Sequence, residues 1–526
     1  VMARIAAPGA EVDAGRVRGG LGVRARSEAT AGWSLQVSDS GAVVAPARTG
    51  LDRTATVRAD DPRLARLLDR ALDDLDALLV TEPGHDDPFT AAGAPWFLTL
   101  FGRDSLWAAT LLLPFDTRIA AGTLATLARV QGTRTDPATG EQPGKIAHER
   151  RRRAGRHEGG MVLPPLYYGT IDATPLWICL LRDAWRWGMP EERVRDLLPN
   201  LHAALGWVRD HADRDGDGFA EYLDESGHGL ANQGWKDSGD SVRDASGRIA
   251  DGPVALVEVQ GYLHEAALAG AELLEAFGDG DPAPWRAFAA ELAARFRERF
   301  WTRDADGAFP ALALDGAKKP VDSLTSNIGH LLGTGILDDA ESDEVGRRLL
   351  APDMASGYGL RTMSSRAGGY SPLSSLCGWV GPHDTAGVVR GLVRSGQTDR
   401  AVALGAGLLA AADGFDRRLP ELFAGYGADE VASPVPYPAS CRPQAWSAAA
   451  AAGLVTALLG LDVDVPAGTV TLRPPRPGPL GAVAVAGLPV AGGRLDVRID
   501  AAGDVVSATV PDGMRLTTDT SRSTRR

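Results

Sequence analysis

The chain has 526 residues, 44% hydrophobic and 23% charged, a make-up that excludes a disordered or fibrous protein and leaves room for one large domain with appendages, or two or three domains. A formal charge of −13 argues against nucleic acid or an anionic membrane as partner, because both demand a basic face. No charge-free apolar stretch is long enough to span a bilayer, and the N-terminus lacks the apolar core of a secretory signal.

Residues 1–58 are rich in Gly, Ala, Val and Arg. Trp33-Ser-Leu-Gln-Val-Ser38 alternates at the strand period and Asp39-Ser-Gly41 supplies a turn, so a small β element is expected. It is too short to bury a core alone and must pack on the next part of the chain.

From Asp61 the period changes. Leu64, Leu67, Leu68, Ala71, Leu72, Leu75, Leu78 and Leu79 recur at helical spacing after an Asp-Pro start. Comparable stretches are expected near 103–114, 118–130, 172–187, 195–212, 253–277, 283–300, 324–335, 339–350, 383–395, 397–413 and 442–460. Residues 59–460 thus read as a mainly α domain of about twelve helices with almost no strand signal. A double ring of inner and outer helices fits that count. An α-solenoid would need a fixed-period repeat, and none is visible. After Leu461 the segments 466–473 and 492–499 alternate as strands, so 461–515 is expected to be a small β appendage, with a disordered polar tail from Thr517.

Cys179, Cys377 and Cys441 are scattered, odd in number and outside any metal-ligand spacing, which fits reduced thiols and a cytoplasmic location. The basic run of Arg150 to Arg153, with Arg156 and His157, reads as a solvated loop.

The long inter-helix loops carry residues a connector does not need. Asn232-Gln-Gly-Trp-Lys-Asp-Ser-Gly-Asp-Ser241 offers Gln233, an aromatic face at Trp235, Lys236 and the carboxylates Asp237 and Asp240. Leu419-Pro-Glu-Leu-Phe-Ala-Gly-Tyr426 offers Glu421. Trp96 and Phe101 precede the pair Arg103-Asp104, Tyr168 lies beside Asp172, and Glu258 and Gln260 sit in the helix after the Trp235 loop. Trp379, His383 and Asp384 open another helix, and Gln444 and Trp446 open the last. Flat aromatics with neutral and acidic hydrogen-bonding groups suit a ligand of C–H faces and hydroxyls, a carbohydrate. Taken singly, Asp172 is equally an N-cap, Arg103-Asp104 a helix-start ion pair, His383 a hydrogen-bonded helix-start residue, and Trp379 and Trp446 core.

Asp213, Asp215, Asp217 and Gly218 match calcium-loop positions one, three, five and six, with Asp224 where a bidentate Glu is usual. The flanks do not pair as two short helices, so a Gly-rich turn is the competing reading, and no cofactor is expected.

As a set and in this order, Phe-Gly-Arg-Asp-Ser (101–105), Tyr-Gly-Thr-Ile-Asp-Ala-Thr-Pro-Leu (168–176), Gln-Gly-Trp-Lys-Asp-Ser (233–238), Leu-Pro-Glu-Leu-Phe (419–423) and Cys-Arg-Pro-Gln-Ala-Trp-Ser (441–447) resemble the glucosidase part of glycogen debranching enzymes, the amylo-α-1,6-glucosidases. The resemblance covers about residues 60–460. It implies an (α/α)6 toroid that hydrolyses α-glucosides with inversion, with Asp237 as general acid, Glu421 as general base, and Arg103, Asp104 and Asp172 holding the terminal glucose. Asp240 is the rival acid in the same loop. Fuller members carry a larger β-domain before the barrel, so a small glucoside or oligosaccharide is a better expected substrate than glycogen. A phosphorylase on the same fold and a non-catalytic carbohydrate-binding protein are the alternatives. The sequence is silent on oligomeric state.

Overall fold

The computed structural model describes residues 2–13, 16–156, 160–374 and 376–518. His157 of the basic run and residues 519–526 of the tail lie outside them.

The described chain is helix-rich, with α1 Pro62–Ala77, α2 Gly102–Leu112, α3 Thr117–Arg129, α4 Ala173–Arg186, α5 Glu191–Asp210, α6 Val257–Phe277, α7 Ala283–Arg299, α8 Asp339–Leu349, α9 Pro382–Arg394, α10 Thr398–Asp413 and α11 Ala445–Leu459. α1 follows its sequence signal closely. Asp61 caps it by accepting from the Arg63 N–H, and Leu64, Leu67, Leu68, Ala71, Leu72 and Leu75 form the buried stripe. Burying each of those leucines contributes about 1.5–3 kcal/mol. α6 and α11 end where Gly278 and Gly460 adopt left-handed φ of 62° and 53°, a conformation glycine takes without steric cost.

The helix expected over 324–335 is instead a 3-10 helix, Ser326–Leu331. Gly333 and Gly335, at φ of 75° and 88°, end it early. Gly329 passes so close to Val388 and Leu349 that a Cβ there would stand 2.5 and 2.9 Å from them.

Two kinds of helix alternate along the chain. α2, α4, α6, the 3-10 helix, α9 and α11 each pack on the next, and α11 packs back on α2. α3, α5, α7, α8, α10 and α1 lie against them in turn. Burial matches these positions: α2 and α11 are buried nearly all round, whereas α7 buries only Ala289, Leu292, Ala293 and Phe296. The run of alanines in α11 lets its neighbours approach closely.

Strands flank the helices, and short ones such as Leu79–Thr81, Glu149–Arg150 and Trp301–Asp304 also lie between them, where almost no strand was expected because two- to four-residue strands leave no alternation to read. Ser34–Ser38 pairs antiparallel with Met2–Ala6, and Glu11–Asp13 with Arg16–Arg18. Thr56–Ala59 joins the sheet of Val483–Val490, Gly493–Ile499 and Val505–Thr509, with Val57 opposite Val485. The early and late parts of the chain therefore share one sheet. Asp462–Asp464, Thr469–Leu472 and Arg515–Thr518 form a second, so Thr517 and Thr518 are strand rather than irregular tail.

None of the described helices is long and apolar enough to cross a membrane. Cys179, Cys377 and Cys441 are buried free thiols. Asp213, Asp215 and Asp217 do converge, but Lys318 Nζ stands 3.0 Å from both Asp215 and Asp217 and also pairs with Glu221. Asp224 accepts from Ser226 and Gly229 in its own turn.

Candidate active site

The starts of the six inner helical elements meet one another. Arg103 at the start of α2 donates from Nε to Asp172 Oδ2, before α4, at 2.6 Å. Glu258 in the first turn of α6 neighbours Asn327 in the 3-10 helix. His330, one turn on, meets Asp384 Oδ1 of α9 at 2.9 Å. The His383 ring stacks on Trp446 of α11, centroids 3.6 Å apart and 9° from parallel. Gln444 closes the circle by donating to Asp104 Oδ1 at 3.2 Å. Helix N-termini favour negative charge, which suits the carboxylates gathered there.

Two loops bring further carboxylates to this circle. The Trp235 loop is held from beneath: buried Lys236 donates from Nζ to the Thr362 carbonyl at 2.5 Å, and Ser241 donates to the Lys236 carbonyl at 2.6 Å. That anchoring presents Asp237, whose Oδ2 lies 3.9 Å from Arg103 Nη1. From the second loop, Glu421 Oε2 accepts from the Cys441 N–H at 3.0 Å, and the Glu421 N–H donates to the Cys441 carbonyl at 2.8 Å.

The surroundings push both carboxyls up. Asp237 rises to about 6, chiefly by loss of hydration, with Arg103 opposing and the charges of Asp172 and Glu149 adding. Its side chain is 42% exposed, and loss of hydration still outweighs the opposing charge of Arg103. Glu421 rises to about 7 by burial, opposed by the Cys441 N–H and reinforced by the charge of Asp237. Asp104 rises to about 8 and Glu258 to about 7, burial being the largest cause in each. All four carboxyls are thus raised, Asp104, Glu258 and Glu421 to neutrality or above and Asp237 to about a unit below it, a pattern typical of sites that move protons.

Many buried polar atoms here have no hydrogen-bond partner among the described residues: both Glu258 oxygens, both Asn327 side-chain heteroatoms, both His383 nitrogens, Asp384 Oδ2, Gln444 Oε1, and the indole nitrogens of Trp235, Trp379 and Trp446. Buried polar groups are ordinarily bonded, so this concentration marks a surface that a hydroxyl-rich ligand would complete. Burial, with His330 and Arg103 nearby, holds His383 well below the usual histidine range, so its imidazole is neutral.

Several expected residues are placed otherwise. Asp172 caps no helix N–H; it pairs with Arg103 and accepts from Thr170. Arg103 and Asp104 point to different partners. His383 is stacked rather than hydrogen-bonded. Trp96 is 58% exposed, its indole donating to the Ala439 carbonyl on the segment leading to Cys441. Phe101 packs edge-on to His148 and Phe97. The Gln233 carbonyl accepts from Arg103 at 3.4 Å. Three candidates make their bonds elsewhere: the Tyr168 hydroxyl donates to the Val130 carbonyl, Gln260 is engaged with Ala220 and Leu256, and Asp240 bonds Ser238 and Arg243. Lys236 donates to the Thr362 carbonyl while its charge is felt by Asp384 and Glu258.

Other members were missed. Glu149 enters because its strand Glu149–Arg150 pairs with both Leu100–Phe101 and Leu166–Tyr167. Tyr262 and His330 form a chain to Asp384, the tyrosine hydroxyl meeting His330 Nδ1 at 2.7 Å. The Glu in front of the arginine run was the only available signal for Glu149.

A helix-rich chain whose inner helix starts gather carboxylates, aromatics and unsatisfied polar atoms belongs to the class of carbohydrate-active proteins. Residues 101–421, more than half of the chain, match the mannosylglycerate hydrolase MGH1-like glycoside hydrolase domain, and the chain belongs to that glycoside hydrolase family. No curated protein matches it. The fold is similar to that of a GH63 mannosylglycerate hydrolase from Thermus thermophilus in complex with glucose, at TM-score 0.54 and 17% identity over 74% of this chain and 99% of that one. It is also similar to a GH78 rhamnosidase of Bacillus sp. GL1 (0.60, 14%, 89% of this chain and 43% of that) and to an α-L-rhamnosidase from Aspergillus terreus (0.58, 13%, 89% and 48%). The chain spans less than half the length of those two rhamnosidases.

Proposed function

We propose that the chain hydrolyses a terminal α-linked hexose, glucose in the first instance, from a small glycoside or oligosaccharide, and does so with inversion. In this reading the closed series of helices is an (α/α)6 toroid and the debranching-type glucosidases are its mechanistic kin. The Asp237 carboxyl gives its proton to the glycosidic oxygen as the C1–O bond breaks. The Glu421 carboxylate takes a proton from a water molecule, whose oxygen bonds C1 from the opposite face. Inversion asks for a carboxyl separation of about 6.5–9.5 Å to admit that water.

The observation that carries the reading is the Asp237–Glu421 pair: two carboxyls raised to about 6 and about 7, the second responding to the charge of the first. Arg103, Asp104, Asp172, Glu258, Asp384 and Gln444 take the sugar hydroxyls, and Trp235, Trp379 and Trp446 line its apolar faces. Asp240, held by Arg243, is the weaker choice of acid. The reaction calls on no cofactor, and the three buried free thiols suit a reducing compartment.

The family match points to mannosylglycerate-type substrates, a second small α-hexoside to include in any assay. A panel of α-linked glucosides and mannosides, assayed with and without phosphate, tests the proposal. Free hexose independent of phosphate supports it. Hexose phosphate as product, or binding without turnover, overturns it.

A further inference from the structure

The inner helices start at the carboxylate cluster and finish at the other end of the ring. α9 alone separates Asp384 from Arg394 by about 15 Å, ten residues at 1.5 Å each. At that far end lies a cavity of about 310 Å³, walled by the last turns of α2, α4, α9 and α11 and by Asp462 and Arg473 from the C-terminal strands. Its size is at the lower end of the range for small-molecule sites.

The charges lining it are uneven. Arg186, Arg390, Arg394 and Arg473 face Asp183 and Asp462. Just beneath, Arg182 and Arg390 both bond Asp183, and Arg182 and Arg394 both pair with Glu265, so Arg390 and Arg394 each share a carboxylate with the buried Arg182. Glu272 is shared between Arg182 and Arg186, at 3.6 and 2.7 Å, and Asp464 lies 3.8 Å from Arg186. Burial and the neighbouring Arg394 together press the Arg390 guanidinium below its ordinary range despite Asp183. Cations are favoured at helix C-termini, and Arg186 and Arg394 sit in last turns. That preference explains basic residues there; it does not explain an open cavity among them.

We propose that this cavity is a second ligand site, taking a small hydroxylated anion such as a sugar-fragment phosphate or carboxylate. Arg390 and Arg394 supply charge-assisted donors for the anionic oxygens. The hydroxyls of Thr110 and Thr456, which donate to the Leu106 and Ala452 carbonyls, keep lone pairs for the ligand's hydroxyls. The site shares no residue with the proposed hydrolytic centre and stands or falls apart from it.

Calorimetric titration of the full chain with glycerol 3-phosphate, gluconate and neutral glycerol at fixed ionic strength tests this, with glucose present to fill the catalytic end. Saturable binding of either anion and none of glycerol is expected, and the stronger anion identifies phosphate or carboxylate as the better fit. Arg390→Gln and Arg394→Gln should each weaken it roughly tenfold or more. Thr456→Phe, which leaves every charge in place, should block it by filling the cavity. Absence of anion binding by the unaltered protein overturns the proposal, as does binding that survives all three substitutions.

Discussion

Arg103 stands 3.9 Å from Asp237 without bonding to it, its Nε being committed to Asp172 at 2.6 Å. The guanidinium thus moderates Asp237, whose side chain stays 42% exposed. Arg103 and Asp172 are both almost wholly buried, and Asp172 keeps Arg103 charged against that burial. Asp172→Asn leaves a buried guanidinium poorly compensated, and the expected cost is about 3–5 kcal/mol of stability. Urea unfolding measures it.

Asp237→Asn and Glu421→Gln each remove one proton-transfer partner and keep nearly the same shape. Each is expected to lower kcat by about 10²–10⁴-fold. Tm and glucose binding should be largely retained. A variant keeping more than a tenth of the activity would show that its carboxyl has no part in the reaction.

The pH dependence rests on the same two groups. Asp237 must be protonated and loses its proton as pH rises through about 6; Glu421 must be ionised and becomes so as pH rises through about 7. The active form lies between these values as a minor state, and the pair titrates as a unit. A narrow bell in kcat/KM, peaking between about 6 and about 7, is expected.

The raised carboxyl also carries a stability signature. The folded Glu421 prefers its proton, so its contribution is present below the ordinary value of 4.5 and is lost as pH rises through about 7. Glu421→Gln removes that loss and can still accept from the Cys441 N–H. The Tm of the variant, relative to the unaltered protein, should therefore be higher at pH 8 than at pH 5; thermal unfolding at the two pH values checks this.

His330 bonds Tyr262 and Asp384 at once. His330→Phe leaves the Asp384 oxygen and the Tyr262 hydroxyl without that partner, each at a cost of about 1–3 kcal/mol. Asp384 then loses its orientation, and KM for the hexoside should rise. Steady-state kinetics on the refolded variant, with its Tm as control, reads both effects.

Periodicity made the helices legible because most obey the rule that α1 shows, a leucine stripe at i, i+3, i+4. It failed at 324–335, where Gly329, Gly333 and Gly335 answer to tight contacts and turns that no local pattern records. The candidate site is legible where chemistry is compressed into a loop, as at Trp235 and Asp237. Sequence does not separate such residues from anchors beside them: Lys236 bonds the Thr362 carbonyl and Gln260 the Ala220 backbone. Asn327, His330 and Tyr262 stayed hidden: a polar residue inside an apolar stretch has no local mark, and only the packing of the 3-10 helix on α6 and α9 brings these three to Asp384 and Glu258.

NMR observation of the first-formed hexose from an α-hexoside, before mutarotation, is the most direct test of the Asp237–Glu421 assignment. The account predicts the β-anomer. Initial release of the α-anomer would contradict it.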